Sequence, residues 1–250
     1  MENLKTKNLA LFLNYFSSLE IWDKFGILER EISLYNLLAD NFRTIYIFSY
    51  GGKKDLKYSK YLKNNIVVIP KKISVPNILY EFILPLIHKN ILKQCDIYKT
   101  NQNSGAIAPA IAKLLYKKKF IVRSGYIGSE LAKRSNLPTY ARIYFWIAEN
   151  FSYFLCDKAF IPTKTNFDIL TKKYPVLKNK LLMINNFIDT KLFSPADEEK
   201  KYDIFYVARF DRDKNHLTLL EAIKDLNLRV LFIGQGKEQR VISEFINKNK

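Results

Sequence analysis

Nine short apolar runs limit what this chain of 250 residues can fold into. They span residues 9–13, 44–48, 66–69, 96–99, 120–123, 158–161, 181–184, 203–207 and 229–233. They read as continuous runs rather than alternating ones. A strand with one wet face alternates with a period of two, so an unbroken run marks a strand covered on both faces. Between the runs lie stretches of helical length and pattern at 27–40, 77–93, 105–117, 139–155, 164–173, 216–225 and 239–247. Strand–helix–strand alternation of this kind predicts a doubly wound α/β architecture around a parallel sheet.

Composition narrows the class further. The chain is 48% hydrophobic, which is globular rather than disordered and supplies ample material for a core. Lys and Arg number 41 against 24 Asp and Glu, a net charge of +17. A field of that sign attracts nucleic acid, anionic lipid or phosphorylated substrates, unless it is only a lysine-rich surface. Cys95 and Cys156 fit neither a metal site nor a disulfide framework, and reduced thiols fit a cytosolic compartment. The apolar run near the N-terminus is too short to span a bilayer and reads as the first strand. The segment 83–92 is interrupted by Pro85, His88 and Lys89. His88 and His216 have no carboxylate or cysteine pattern beside them, so both read as structural and no metal is expected.

Residues 186–201 are polar, contain Pro195 and show no period, so they read as a linker between a domain over 1–185 and a second over 202–250. Seven strand candidates precede the linker and only two follow it. Two parallel strands do not bury both faces of a sheet, so an uncovered edge and an exposed apolar face are expected over 203–250.

Arg209 and Lys214 flank the turn between the run 203–207 and the helix that begins near Asn215. A helix N-terminus offers unpaired N–H groups and a positive dipole end, and two cations beside it suit a diphosphate. The alternative is a solvated basic turn in which Asp211 and Asp213 neutralise the cations. Gly234-Gln235-Gly236 follows the last run. Glycines there let backbone approach a ligand, or simply serve the geometry of the turn.

The ordered strings NNFID (185–189), KLFSP (191–195), FYVARFDRDKNHLTLLEAI (205–223) and VLFIGQGKE (230–238) resemble glycosyltransferase family 4, retaining GT-B enzymes with two Rossmann-like domains. Asn186, Ile188, Asp189, Phe193 and Pro195 match the family's entry into the second domain, with Phe187 in place of a Gly. Arg209 and Lys214 match a Gly-Arg…Lys pattern, with Ala208 in place of the Gly. The resemblance implies that this pair, with the Gly234 and Gly236 turn, holds the diphosphate of a nucleotide-sugar donor. FGILEREISLYNLLA (25–39) is similar to the family's first helix, which places Gly26 where a glycine-rich loop approaches the donor phosphates. Otherwise Gly26 simply opens a helix with Glu29 and Glu31 at its positive end. DIYKTNQNSGAIAPAIAKLL (96–115) resembles the strand and helix before the catalytic-side loop, and IVRSGY (121–126) falls where many members show His-Gly. There Gly125 matches and Ser124 stands in the His position, so Ser124, Gly125 and Asn186 are the candidates for the cleft loops.

The family's second domain carries two glutamates eight positions apart. The chain has no such pair; Glu149 with Asp157 comes nearest and lies in the other domain. The expectation is therefore an acceptor domain and a truncated donor domain, from a fragment, a split gene or a pseudoenzyme. The catalytic residues are not identified. The implied partners are a nucleotide diphosphate sugar and a glycan or lipid-linked acceptor, with no cofactor beyond the donor and no nucleic acid. The implied place is the cytoplasm, peripheral on the inner face of the membrane. The basic stretch 110–120 could lie on anionic lipid or be a solvated helix end. A non-catalytic protein of the same fold, or a basic surface-binding module without a nucleic-acid motif, are the alternatives.

Overall fold

A computed structural model of the chain describes residues 3–190, 193–195 and 199–249. It divides into two compact units, Met1–Ile188 and Asp189–Lys250.

The first unit is built on seven strands: β1 (Asn8–Phe12), β2 (Thr44–Phe48), β3 (Ile66–Ile69), β4 (Ile97–Thr100), β5 (Lys119–Arg123), β6 (Lys158–Ile161) and β7 (Leu181–Met183). Every pairing is parallel, in the order 3-2-1-4-5-6-7, with Leu9 of β1 opposite Ile45 on one side and Ile97 on the other. The order reverses at the β1–β4 pair. In an open α/β sheet the crevice for ligands lies beyond the carboxyl ends of the strands at such a reversal.

Helices make the crossovers. Between β1 and β2 lie α1 (Leu19–Lys24) and α2 (Leu28–Ala39); between β3 and β4 lie α3 (Asn77–Ile87) and α4 (Lys89–Gln94). Then α5 (Ile107–Tyr116) leads to β5, α6 (Gly128–Arg134) and α7 (Thr139–Leu155) lead to β6, and α8 (Lys164–Lys173) leads towards β7. Right-handed crossovers put α1 and α2 on one face of the sheet and α3, α5, α7 and α8 on the other. On the second face α5 packs between α3 and α7. The residues that start and stop these helices are local. Ser18 Oγ accepts from Ile21 N at 3.1 Å and Thr163 Oγ1 from Asn166 N at 3.3 Å, each an N-cap. Lys117 adopts the left-handed conformation (φ 55°) and ends α5.

The predicted strand runs are all present, but their full coverage holds only at the centre of the sheet. Ala10, Leu11 and Phe12 have no exposed surface, whereas Val67 on one edge strand is 40% exposed and Leu182 and Met183 on the other are 42% and 53% exposed, because an edge strand has a neighbour on one side only. One helix needs correction. The stretch 77–93 is two helices broken at His88, not one. Pro85 lacks an N–H for the helix ladder, and the hydroxyl of Tyr116 donates to the Pro85 carbonyl at 2.8 Å. Among the short elements that were not anticipated are α1, α6 and a 3-10 segment at Lys53–Tyr61.

The second unit comprises β8 (Ile204–Val207), α9 (His216–Ile223), β9 (Val230–Ile233) and α10 (Gln239–Lys248). The two strands pair in parallel, Phe205 opposite Leu231 and Val207 opposite Ile233. A small core of Phe210, Leu220 and Ile242, joined by Phe232 and Phe245, lies under α9 and α10. Phe205 and Val207 on β8 are each 60% exposed. Of the stretch anticipated as a linker, residues 191, 192 and 196–198 lie outside the described residues, and with them part of the KLFSP string. Among the described residues no helix is long and apolar enough to cross a membrane.

Candidate functional site

In the first unit a cavity of about 410 Å³ opens beyond the carboxyl ends of β4 and β5. It is lined by Arg30, Glu31 and Leu34 of α2, by Gln102, Arg123, Gly125 and Tyr126, and by Asn186, Phe187 and Ile188. Arg123 is the last residue of β5. Its Nη1 donates to the Asn101 carbonyl at 3.0 Å and its Nη2 to Asn186 Oδ1 at 2.9 Å, so one guanidinium ties the end of β4 to the chain after β7. Asn101 is held in turn by the buried hydroxyl of Tyr35, which donates to its Oδ1 at 2.6 Å. Gly125 N–H donates to Gln102 Oε1 at 2.7 Å and joins the loops after β4 and β5.

The charge at this cavity is mostly positive. Arg30 pairs with Glu31, Nη2 to Oε1 at 2.7 Å. Lys99 of β4 sits half-buried behind the wall, with Nζ donating to the Thr100 carbonyl at 3.2 Å and lying 5.6 Å from the centre of the Tyr35 ring. Burial, and then the positive charge of Arg123, push the Lys99 ammonium down to about 7, against a smaller pull from Glu31. Among the described residues neither Arg123 nor Lys99 has a carboxylate partner within salt-bridge distance.

Sequence reasoning placed Ser124, Gly125 and Asn186 at this cleft. Gly125 and Asn186 line the cavity; Ser124 does not. Its side chain is buried and shares a hydrogen bond of 2.8 Å with the hydroxyl of Tyr153 on α7, so it faces the helix layer. Arg123, Arg30 and Lys99 were missed. One signal was available, because a lysine inside the buried-type run 96–99 breaks its apolar pattern and marks a charge brought to the sheet for a reason.

Gly26 lies elsewhere in the unit. It has φ +65°, its N–H donates to the Asp23 carbonyl at 2.9 Å, and Ile27 N–H donates to the Trp22 carbonyl at 2.9 Å. That pair of bonds is the Schellman motif that ends α1, with Gly26 as the left-handed residue. It was invisible while α1 was unrecognised. Gly26 shares an open cavity of about 650 Å³ with Asp23, Glu29, Ser33, Asn36 and Tyr61, and no cation lines it. Two carboxylates and no cation repel a diphosphate.

In the second unit the two cations singled out in the β8–α9 turn, Arg209 and Lys214, are both paired. Arg209 Nη1 is 2.8 Å from Asp211 Oδ2, and Lys214 Nζ is 3.4 Å from Asp213 Oδ2. The Lys214–Asp213 pair is exposed and worth little, and although Asp211 keeps only 25% of its side-chain surface, the Arg209 side chain is 69% exposed and open to a second anion. Asn215 precedes α9 in the left-handed conformation (φ 53°) and makes no side-chain cap, which leaves the first N–H groups of the helix open. The two glycines have a local cause. A Cβ on Gly234 would stand 1.9 Å from the Ala208 carbonyl oxygen, and one on Gly236 2.3 Å from that of Phe210. Phe210 N–H donates to the Gln235 carbonyl at 3.0 Å and Glu238 N–H to the Phe210 carbonyl at 2.8 Å. The turns after β8 and β9 therefore interlock backbone to backbone, and only glycine fits between them. His216 is buried among the rings of Tyr206, Phe210 and Phe232.

No family model matches the chain, and no curated protein matches it by sequence. Solved structures do match by shape. HepE of Anabaena in complex with UDP superposes with a TM-score of 0.66 at 12% identity, over 98% of this chain and 66% of that one. The chain has the GT-B fold. Sucrose-phosphate synthase from Thermosynechococcus elongatus gives a TM-score of 0.66 at 14% identity, over 97% of this chain and 68% of that one. A glycosyltransferase from Rickettsia africae ESF-5 gives 0.60 at 19%, over 98% and 64%. The chain thus spans about two thirds of the length of these GT-B proteins.

Proposed function

We propose that this chain carries the acceptor side and part of the donor side of a retaining glycosyltransferase. The donor is a nucleotide diphosphate sugar, and the acceptor is a glycan or glycolipid of the cell envelope. The observation that carries the reading is the cation pair Arg209 and Lys214, set at the open N-terminus of α9 within a GT-B fold. Backbone N–H groups at a helix start, a forked guanidinium and a point-charge ammonium form a site for a diphosphate. As the sugar leaves, negative charge grows on the diphosphate, and these fixed donors stabilise it electrostatically. The interlocked turns at Gly234 and Gly236 keep that frame rigid. The cavity around Arg123, Gly125 and Asn186 serves the acceptor in the first unit. The nucleotide donor and the lipid-linked class of acceptor place the reaction in the cytoplasm at the inner face of a membrane.

Titration calorimetry with UDP and GDP tests the cation pair. Each charge-assisted contact to phosphate contributes about 1.5–3 kcal/mol. Arg209→Ala and Lys214→Ala should each weaken nucleotide binding about tenfold or more, and binding to the unaltered chain should weaken as salt rises. Unchanged affinity in both variants would sink the reading.

A further inference from the structure

Helix α7 is apolar on both sides. Tyr144, Phe145, Ala148 and Tyr153 are buried beneath it. Ile143, Trp146, Ile147 and Phe154 form a second stripe, confined to about 100° of arc at 100° per residue, and this one faces outward. Trp146 is 57% and Phe154 69% exposed, and Tyr140 begins the stripe at 75%. Asn150 interrupts this outward stripe and Arg142 borders it, but its large side chains are apolar, and apolar surface on the outer side of a helix calls for an apolar neighbour there. Leu114 and Leu115 of the adjacent α5 are also exposed.

Charge borders the stripe. Lys133, Arg142 and Lys173 line a groove of about 460 Å³ with Ile143 and Trp146, against one carboxylate, Glu130. At the other end Lys180 Nζ donates to the Phe154 carbonyl at 3.1 Å. The acidic residue of α7 itself, Glu149, is fully buried; it accepts from Ser129 N–H and from the hydroxyl of Tyr174 and pairs with Lys173 Nζ at 3.4 Å, which leaves Lys133 and Arg142 as the cations the rim offers to an anion.

We propose that the outer face of α7 docks on the interfacial region of an anionic lipid bilayer. Aromatic and aliphatic side chains enter the boundary between head groups and acyl chains, and a lysine and arginine rim meets the lipid phosphates. A second copy of the chain fits this face poorly. A two-fold interface sets each patch against itself, so the basic rim of one copy meets the basic rim of the other, and a net charge of +17 opposes the approach. The basic stretch 110–120 is a weaker anchor. The first turns of α5 are buried, and Lys113 is paired with Asp157.

The chain carries its own reporter. It has two tryptophans, and Trp22 is buried at 3% exposure, so a change on binding reports Trp146. Vesicles of phosphatidylcholine with phosphatidylglycerol should float the full chain, shift the Trp146 emission to the blue and allow brominated lipid to quench it. Vesicles of phosphatidylcholine alone should bind far less. Trp146→Ser with Phe154→Ser should lower partitioning about tenfold or more, and Arg142→Gln about fivefold. These side chains are exposed, so thermal melting should stay the same. The proposal fails if anionic vesicles do not bind. It also fails if they bind without moving Trp146, because another surface would then be responsible. A Trp146 emission already blue-shifted without lipid, in a concentration-dependent dimer, overturns it in favour of self-association. None of these outcomes depends on nucleotide binding, so the transfer reading stands or falls separately.

Discussion

Two parallel pairings in this molecule, β1 with its neighbours and β8 with β9, use the same kind of sequence with opposite results. In the first unit β1 has strands on both sides and helices on both faces, and Leu9 to Phe12 are sealed. In the second, β8 has one strand beside it and a helix layer on one face, so Phe205 and Val207 stay in water while Tyr206 packs against His216 and Phe232. An apolar run makes a strand, but its neighbours decide whether that run stabilises the fold or exposes a liability.

Replacing the same residue type in the two places gives the sharpest contrast. Phe12 is fully buried and stacks on Phe48 with ring centres 4.9 Å apart. Phe12→Ala should cost about 3–5 kcal/mol in urea unfolding of the first unit. Phe205→Ser should change stability by about 0.5 kcal/mol or less and should reduce aggregation. Equal losses at the two positions would mean that the β8 face is covered in solution.

A pH experiment separates the units next. Glu81 is fully buried in the first unit and accepts from Tyr50 at 3.1 Å and from Tyr144. Burial raises its carboxyl from the usual 4.5 to about 8, although the tyrosine hydrogen bonds pull the other way. The bonding supports a neutral acid. Tyr144 has one hydroxyl proton and two acceptors, Glu81 and the Ser104 carbonyl at 2.9 Å. A protonated Glu81 donates to Tyr144 and frees that proton for Ser104. A group with its folded value raised binds protons more tightly in the folded state. Its stabilisation is present in full below pH 4.5 and is lost as pH rises through about 8. The first unit should therefore weaken between these limits, and Glu81→Gln, which stays neutral, should flatten that slope. A slope unchanged by the substitution would rule out Glu81 as its source.

How far the sequence reaches is visible in particular residues. The strands were legible because full coverage demands unbroken apolar runs, and the runs are in the chain. Helix α1 was not legible, since six residues are too few to show a period, and the reason for Gly26 was lost with it. The orientation of Ser124 depends on Tyr153, 29 residues away, which no local pattern encodes. The outward stripe of α7 was hidden by its own composition, because a segment apolar on every side reads as interior. Arg209 and Lys214 could be found by spacing, but their partners Asp211 and Asp213 could only be offered as one option until the turn was seen.

Those aspartates give the smallest test of the contrast between units. Asp157, in the first unit, is partly buried; it accepts from Phe120 N–H at 2.7 Å and pairs with Lys113. Burial alone would raise its carboxyl, but the Lys113 and Phe120 hydrogen bonds outweigh that and hold it below the usual range. A lowered value means that its contribution is present above the unfolded pKa and lost as pH falls through the folded one. Asp157→Asn should cost about 1–2 kcal/mol at neutral pH, because a bonded carboxylate beside a buried strand end is removed. Asp211→Asn, in the exposed turn of the second unit, should change stability by less than about 0.5 kcal/mol. It should instead free Arg209 and tighten nucleotide binding slightly, since the guanidinium no longer leaves one carboxylate to meet a phosphate. Unfolding and calorimetry on the two variants read both effects. A large stability loss from Asp211→Asn would mean that the basic turn is held by its ion pair rather than by the interlock at Gly234 and Gly236.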